Sequence, residues 1–335
     1  MSFYKNRNLI LLILCVFFFI FGFFKNDPFG LFEFTYQKAP RLIDINEKNI
    51  KMIHLKQGDK IQTTFQKDKD LWLVKNLADN SVYRGNSEKI ENALVDLLAV
   101  KKYHDITSSE NKHIEYAVAA SDFHLVFISE NEQVLADVYL GKSGAAMGSS
   151  LLRLSSEKTV YSAKGNFKGQ WNQNIDAFRD KKIVNFVPEN IKSIQFNGEK
   201  NYSIHRKEND MWELNTLGKI IDADKSKVIN LLRIITDLQG NSFFPKEANP
   251  PKSFAKIQVE LSSGYIEEIE INGPIAKNST DYVTKSHYTG NWLMIPKYRV
   301  ESLLSDASHY EPGQNDAPPP QGQRPQVAPR PPKKR

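Results

Sequence analysis

Lys67-Asp68-Lys69-Asp70-Leu71-Trp72 is written again 140 residues later as Lys207-Glu208-Asn209-Asp210-Met211-Trp212. The surroundings repeat with it, since Ile50-Lys51-Met52-Ile53 returns at an offset of 141 as Ile191-Lys192-Ser193-Ile194. One duplication at this spacing divides the chain into two similar modules. After each Trp comes a helical pattern. Ile90, Leu94, Leu97 and Leu98 fit one helix face in the first copy, and Val228, Leu231, Leu232 and Ile235 fit one in the second. Ser87 and Asp224 are the expected N-caps.

Beyond each helix the apolar period changes from 3.6 to 2. Leu125 to Ile128 and Val134 to Leu140 read as hairpin strands in the first copy, and Ile257 to Leu261 and Ile269 to Ile271 in the second. Gly141 and Gly273 are expected to close the second strand of each pair, and Ser262-Ser263-Gly264-Tyr265 to turn between strands. Leu151 to Leu154 and Val160 to Ser162 add two strands to the first module. Tyr282 to Thr284 and Trp292 to Ile295 add two to the second. Each copy therefore reads β-β-β-α-β-β-β-β. The fold class is α+β, two tandem modules each made of an antiparallel β-sheet packed by one main helix. Burying four large apolar side chains of such a helix contributes about 6 to 12 kcal/mol before entropy.

Outward from this body, residues 9–24 hold 14 Leu, Ile, Val or Phe and no charge. Their insertion into a bilayer is favoured by about 4 to 8 kcal/mol. A helix over them would be about 24 Å long, slightly less than a hydrocarbon core of about 30 Å. Lys5 and Arg7 precede the run, which predicts a cytoplasmic N-terminus and an exported body. Lys25-Asn26-Asp27-Pro28 follows without a small-x-small cleavage site, so the run reads as an uncleaved transmembrane anchor. Cys15, the only cysteine, lies inside it, which excludes disulfides, thiolate metal sites and cysteine nucleophiles from the body.

The 335 residues carry a net charge of +6, but the ends supply all of it. Residues 26–310 hold 37 basic and 37 acidic side chains, so the body lacks the electrostatic footprint of nucleic-acid binding. Eight of the 16 prolines lie beyond Tyr310, in EPGQNDAPPPQGQRPQVAPRPPKKR. Such a stretch reads as a disordered, partly polyproline-II tail with a reach of up to about 75 Å. The expected organisation is a cytoplasmic N-terminus and anchor over 1–25 and a linker over 26–41. A first module follows over 42–168, an inter-module helix and basic junction over 169–190, a second module over 191–306, and the tail over 307–335.

The two copies, each with an early Trp after a charged turn, join the Phe178-Arg179-Asp180-Lys181 junction and the N-terminal anchor in a recognisable combination. Over about residues 42–305 it resembles the domain-of-unknown-function 4340 family of bacterial membrane-anchored proteins. Many members have a Tyr-Gly-Leu step ending in proline before the hairpin. Tyr116-Ala117-Val118-Ala119-Ala120 stands there in this chain. The resemblance implies an exported, anchored protein, often encoded beside ABC-transporter components related to gliding-motility auxiliary proteins, and no established enzyme activity; the anchor and the basic residues before it place the expected protein in a bacterial inner membrane.

Several patterns carry residue types that catalytic or binding sites use. Gly141-Lys142-Ser143 lacks the earlier glycine of a phosphate loop, having Ala136 there, and reads as a hairpin turn. The small-residue stretch 144–150 reads as a flexible connection rather than a ligand loop. His104, His113 and His124, at spacings of 9 and 11, share no helix face and fit no metal motif. Glu268 and Glu270 fall on the solvated side of a strand that also carries Glu267, with Ile269 and Ile271 inward. No GxSxG or SxxK nucleophile motif occurs. Trp72 and Trp212 read as core anchors in preference to binding platforms. Arg179, Asp180 and Lys181 read as residues that cap or bridge the junction, with partner contact as the alternative.

No catalytic residue, metal or cofactor is expected. The leading expectation is a non-enzymatic, single-pass accessory or scaffold protein of a membrane complex, of ABC-transporter type, with its body in the periplasm. A cell-envelope module whose basic tail binds peptidoglycan or an anionic polymer is the first rival. An envelope hydrolase with a site assembled from distant residues is the second.

Overall fold

A computed structural model describes residues 7–26, 39–77, 80–276 and 279–313, and within the first helix the side chains of 11–20. The N-terminal six residues, most of the expected linker and the chain from 314 onward lie outside the described residues. The chain divides into two compact units, Met1–Asp180 and Lys181–Arg335.

The first unit opens with helix α1 (Arg7–Asn26). Its ten described side chains, 11–20, are all exposed. Among the described residues no helix is long and apolar enough to cross a membrane. The sheet then runs through β1 (Met52–Gln57), β2 (Lys60–Asp68), β3 (Leu71–Asn76) and β4 (Val82–Arg84). Helix α2 (Ser87–Leu98) follows, then β5 (His104–Thr107), β6 (Phe123–Ile128), β7 (Val134–Ser143), β8 (Ser149–Leu154), β9 (Val160–Lys164) and helix α3 (Phe167–Trp171). The nine strands form one antiparallel sheet in the order β4-β3-β2-β1-β6-β7-β8-β9-β5.

The second unit repeats this order with β10 (Ile191–Gly198), β11 (Tyr202–Arg206), β12 (Trp212–Thr216) and β13 (Lys219–Asp222) before helix α4 (Lys225–Thr236). After it come β14 (Ser242–Phe243), β15 (Ser253–Leu261), β16 (Ile266–Pro274), β17 (Asp281–Ser286), β18 (Leu293–Pro296) and helix α5 (Lys297–Leu303). Its sheet order is β13-β12-β11-β10-β15-β16-β17-β18-β14. Each sheet thus has four strands before its helix and five after, against the expected three and four. The additional strands, β4, β5, β13 and β14, are two to four residues long and too short to display a period.

The helices lie where their apolar stripes predict. Ile90, Ala93, Leu94, Leu97 and Leu98 of α2 are buried, as are Val228, Leu231, Leu232 and Ile235 of α4. Asp224 caps α4, its Oδ1 accepting from the backbone N–H groups of Ser226 (2.9 Å) and Lys227 (3.2 Å). The cap of α2 is Asn86, whose Oδ1 accepts from Lys89 N at 3.0 Å. Ser87, the expected cap, instead accepts a bond from Trp72 N through its hydroxyl, at 3.1 Å.

Gly141 and Gly273 do not end their strands, which continue to Ser143 and Pro274. Both sit at register shifts, between Leu140 and Ser143 and between Asn272 and Pro274. At Gly141 a Cβ would lie 2.5 Å from the Tyr116 carbonyl oxygen and 2.7 Å from Val118 Cγ1, so only glycine admits this crossing segment. No period or turn signal in the sequence marks that crossing. Val118 packs with Tyr139, Leu151 and Val160, covering part of the sheet face away from α2.

The expected junction over 169–190 is not a separate element. Trp171 and Phe178 belong to the first core, with the ring of Phe65 5.8 Å from Trp171 and 4.9 Å from Phe178. Ile183 and Val184 belong to the second. Nor does the second core stop at residue 306. A 3-10 turn, Ala307–Tyr310, follows, and Tyr310 is 1% exposed behind Tyr202, with ring centres 5.9 Å apart. Burial of that aromatic ring draws residues 307–310 out of the expected tail.

Candidate functional site

The residues singled out from sequence are consumed by packing. Trp72 and Trp212 are 1% and 2% exposed. Each lies under a cation of the strand opposite: Lys67 Nζ is 5.4 Å from the Trp72 ring centre, and the Arg206 guanidinium is 4.9 Å from that of Trp212. The register makes these pairs, since Lys67 faces Trp72 and Arg206 faces Trp212. Trp72 Nε1 is buried without a hydrogen-bond partner among the described residues.

Arg179, Asp180 and Lys181 divide between the units. Arg179 is buried in the first, its Nη1 donating to Asp176 Oδ1 at 2.8 Å and its guanidinium 3.7 Å above the Tyr83 ring. The Asp180 N–H donates to the Arg84 carbonyl at 2.9 Å. Lys181, in the second, donates through Nζ to the Asn241 carbonyl at 3.0 Å, and its own carbonyl accepts from Gly240 N at 2.9 Å.

The three histidines do not converge. His104 is exposed on the edge strand β5, and His113 Nε2 bonds the Lys158 carbonyl oxygen at 2.8 Å. His124 is buried between Asp137 Oδ1 (2.8 Å from Nδ1) and the Gly58 carbonyl oxygen (3.0 Å from Nε2). Its ring stacks on Tyr139, which in turn lies under the Arg153 guanidinium. Among the described residues no group of three or more His, Cys, Asp or Glu could hold a metal ion.

Gly141, Lys142 and Ser143 are strand residues rather than a turn. The turn is made just beyond them, where Gly144 N donates to the Ser149 carbonyl at 2.9 Å and Met147 is fully exposed. Glu267 shares the inward face of β16 with Ile269 and Ile271 and is 2% exposed, accepting from the Tyr265 hydroxyl (3.0 Å) and Tyr288 N (2.9 Å). Glu268 pairs with Lys256 at 2.9 Å, and that hydrogen bond holds its carboxyl below the usual range.

One concavity has no signature in the sequence. A cleft of about 590 Å³ opens in the second unit between α5 with the segment after it and the ends of β10, β15 and β17. Its floor is apolar, formed by Phe196, Phe254, Ala255, Tyr282, Val300 and Leu304. The Phe254 and Tyr282 ring centres are 5.8 Å apart at 59°. Charged groups surround the floor: Glu199, Lys200, Lys256, Glu301 and Asp306. Lys200 closes one end, donating to the Leu304 carbonyl at 2.6 Å and pairing with Asp306 at 3.2 Å. Below it Tyr202 stacks on Phe196 at 4.4 Å and donates to the Ser305 carbonyl at 2.8 Å. Burial, then the neighbouring Tyr310, pushes the Tyr202 phenol far above its usual range, so it serves as a fixed donor and not as a base. An apolar floor under a charged rim suits binding of an extended, partly apolar segment. The floor residues come from four elements spread over more than 100 residues of the chain, so no motif could have announced them.

The family model described as "Domain of unknown function (DUF4340)" matches residues 72–257, from Trp72 into β15. No curated protein matches the chain, and neither does any solved structure.

Proposed function

We propose, since the chain belongs to the domain-of-unknown-function 4340 family, that it is a non-enzymatic accessory or scaffold protein, held in a bacterial inner membrane by α1. Its two sheet modules are exported, and its partner is a membrane complex of the ABC-transporter type that the family resemblance implies. The observation that carries this reading is α1 itself. Its ten described side chains are apolar or cysteine on every side of the helix, and the protein covers none of them. A helix apolar all round must be buried somewhere, and lipid is the solvent that accepts it. Lys5 and Arg7 favour retention of the N-terminus in the cytoplasm. The engagement of Trp72, Trp212 and Arg179 in packing supports a module whose work is contact rather than chemistry.

The test is a crosslinked pull-down of the full chain from solubilised membranes, with co-purifying proteins identified by mass spectrometry. Transporter subunits recovered with the wild-type chain, and lost when 9–24 is replaced by a cleavable signal peptide, are the expected result. Recovery of envelope polymer alone would instead make this a tethering protein.

A further inference from the structure

We propose that the cleft beside α5 is a docking site for this chain's own proline-rich segment, residues 318–332. The cleft supplies an apolar floor with the tilted pair Phe254 and Tyr282, 5.8 Å between ring centres. Proline-rich sequence favours the polyproline-II conformation, and grooves lined by aromatic rings accept it at low entropic cost. Residues 318–332 contain seven prolines, Arg324 and Arg330, and no acidic residue.

The rim charge is complementary. Lys256 is paired with Glu268 at 2.9 Å and Lys200 with Asp306 at 3.2 Å. Glu199 makes no ion pair among the described residues, and Glu301 meets only Lys297, at 3.5 Å. The charge left for a ligand is therefore negative, and the segment brings two guanidinium groups that match carboxylates.

The tether is also right. Ser308 and His309 form part of the cleft wall, and the described chain continues only to Gly313. At about 3.1 Å per residue, Pro318 lies within about 15 Å of Gly313 and Arg330 within about 53 Å, so any part of the segment can return. A tether of this length gives an effective concentration on the order of millimolar, at which even a weak contact of about 1 mM is half occupied.

The experiment places p-benzoylphenylalanine at Tyr282, and separately at Glu301, in the full chain in membranes, and maps the photo-crosslinks by mass spectrometry. Crosslinks within one chain to residues 318–332 are expected from both positions. Their yield should fall several-fold in the Arg324→Glu/Arg330→Glu chain and on addition of excess free 318–332 peptide. Crosslinks only to another protein, to lipid or to a second copy, or no crosslink to this segment, would overturn the proposal, as would a yield indifferent to charge reversal. Glu301 is exposed on α5, so that position still gives an answer if replacement of Tyr282 disturbs folding.

Discussion

The Asp224 backbone N–H donates to the Tyr310 carbonyl oxygen over 2.8 Å, so the residue that caps α4 also holds the last aromatic ring of the second core. The first unit has the same device. Asn86, which caps α2, donates to the Phe178 carbonyl at 2.7 Å.

This contact makes Tyr310 part of the fold. Tyr310→Ala is expected to cost roughly 3 to 5 kcal/mol, the usual range for emptying a buried aromatic site. A chain ending after Asp306 should lose at least as much, whereas one ending after Gly313 should lose no more than about 0.4 kcal/mol, the contribution of a tail docked half of the time. Equal midpoints for the two truncations would refute this account.

Trp72 separates size from polarity. Its ring is fully buried, but its Nε1–H has no hydrogen-bond partner among the described residues. Trp72→Ala should therefore cost roughly 3 to 5 kcal/mol, while Trp72→Phe, which deletes an unsatisfied donor together with some volume, should cost about 1 to 2 kcal/mol. Denaturant melts of the two variants would measure the difference.

Asp224 gives the fold an acid-sensitive cap. The backbone N–H of Lys227 first, and that of Ser226 after it, hold its carboxyl below the ordinary carboxylate range. A carboxylate with a depressed folded-state pKa stabilises above its unfolded value, and that stability is lost as pH falls through the folded one. The urea midpoint should thus decline below about pH 4, and Asp224→Asn, a neutral cap of similar quality, should flatten that decline. An identical acid limb in both proteins would remove Asp224 from the explanation.

Gly141 is constrained by a close approach, not by a turn. Gly141→Ala would place a Cβ 2.5 Å from the Tyr116 carbonyl oxygen, in the backbone that crosses the sheet. The expected cost is about 1 to 3 kcal/mol. Faster amide exchange at Lys142, whose N–H donates to Tyr116 O at 3.1 Å, would locate the damage.

What could be read in advance was whatever the duplication displays twice. The Trp positions, the α2 and α4 stripes and the long hairpins β6–β7 and β15–β16 all carry a period over enough residues to count. The short edge strands could not be read that way: β13 is exposed at three of its four positions, so no alternation marks it. Ser87 and Asn86 are both competent caps, and only the Trp72 N–H, fifteen residues back, decides between them. The inward position of Glu267 was legible by parity with Ile269 and Ile271, yet the hydroxyl that permits it comes from Tyr265 two residues away. The cleft was beyond reach because Phe196, Phe254 and Tyr282 meet only after the sheet has formed.

Phe178 and Tyr310 have one more consequence, for the order of events during synthesis. Each core receives its closing aromatic late in its own unit, so neither can be completed before that aromatic has been made. The first unit can close as soon as residues through Asp180 have been delivered, while the second is still being translated. The second must wait for Tyr310, and until then α4 has its cap but not the ring that cap will hold.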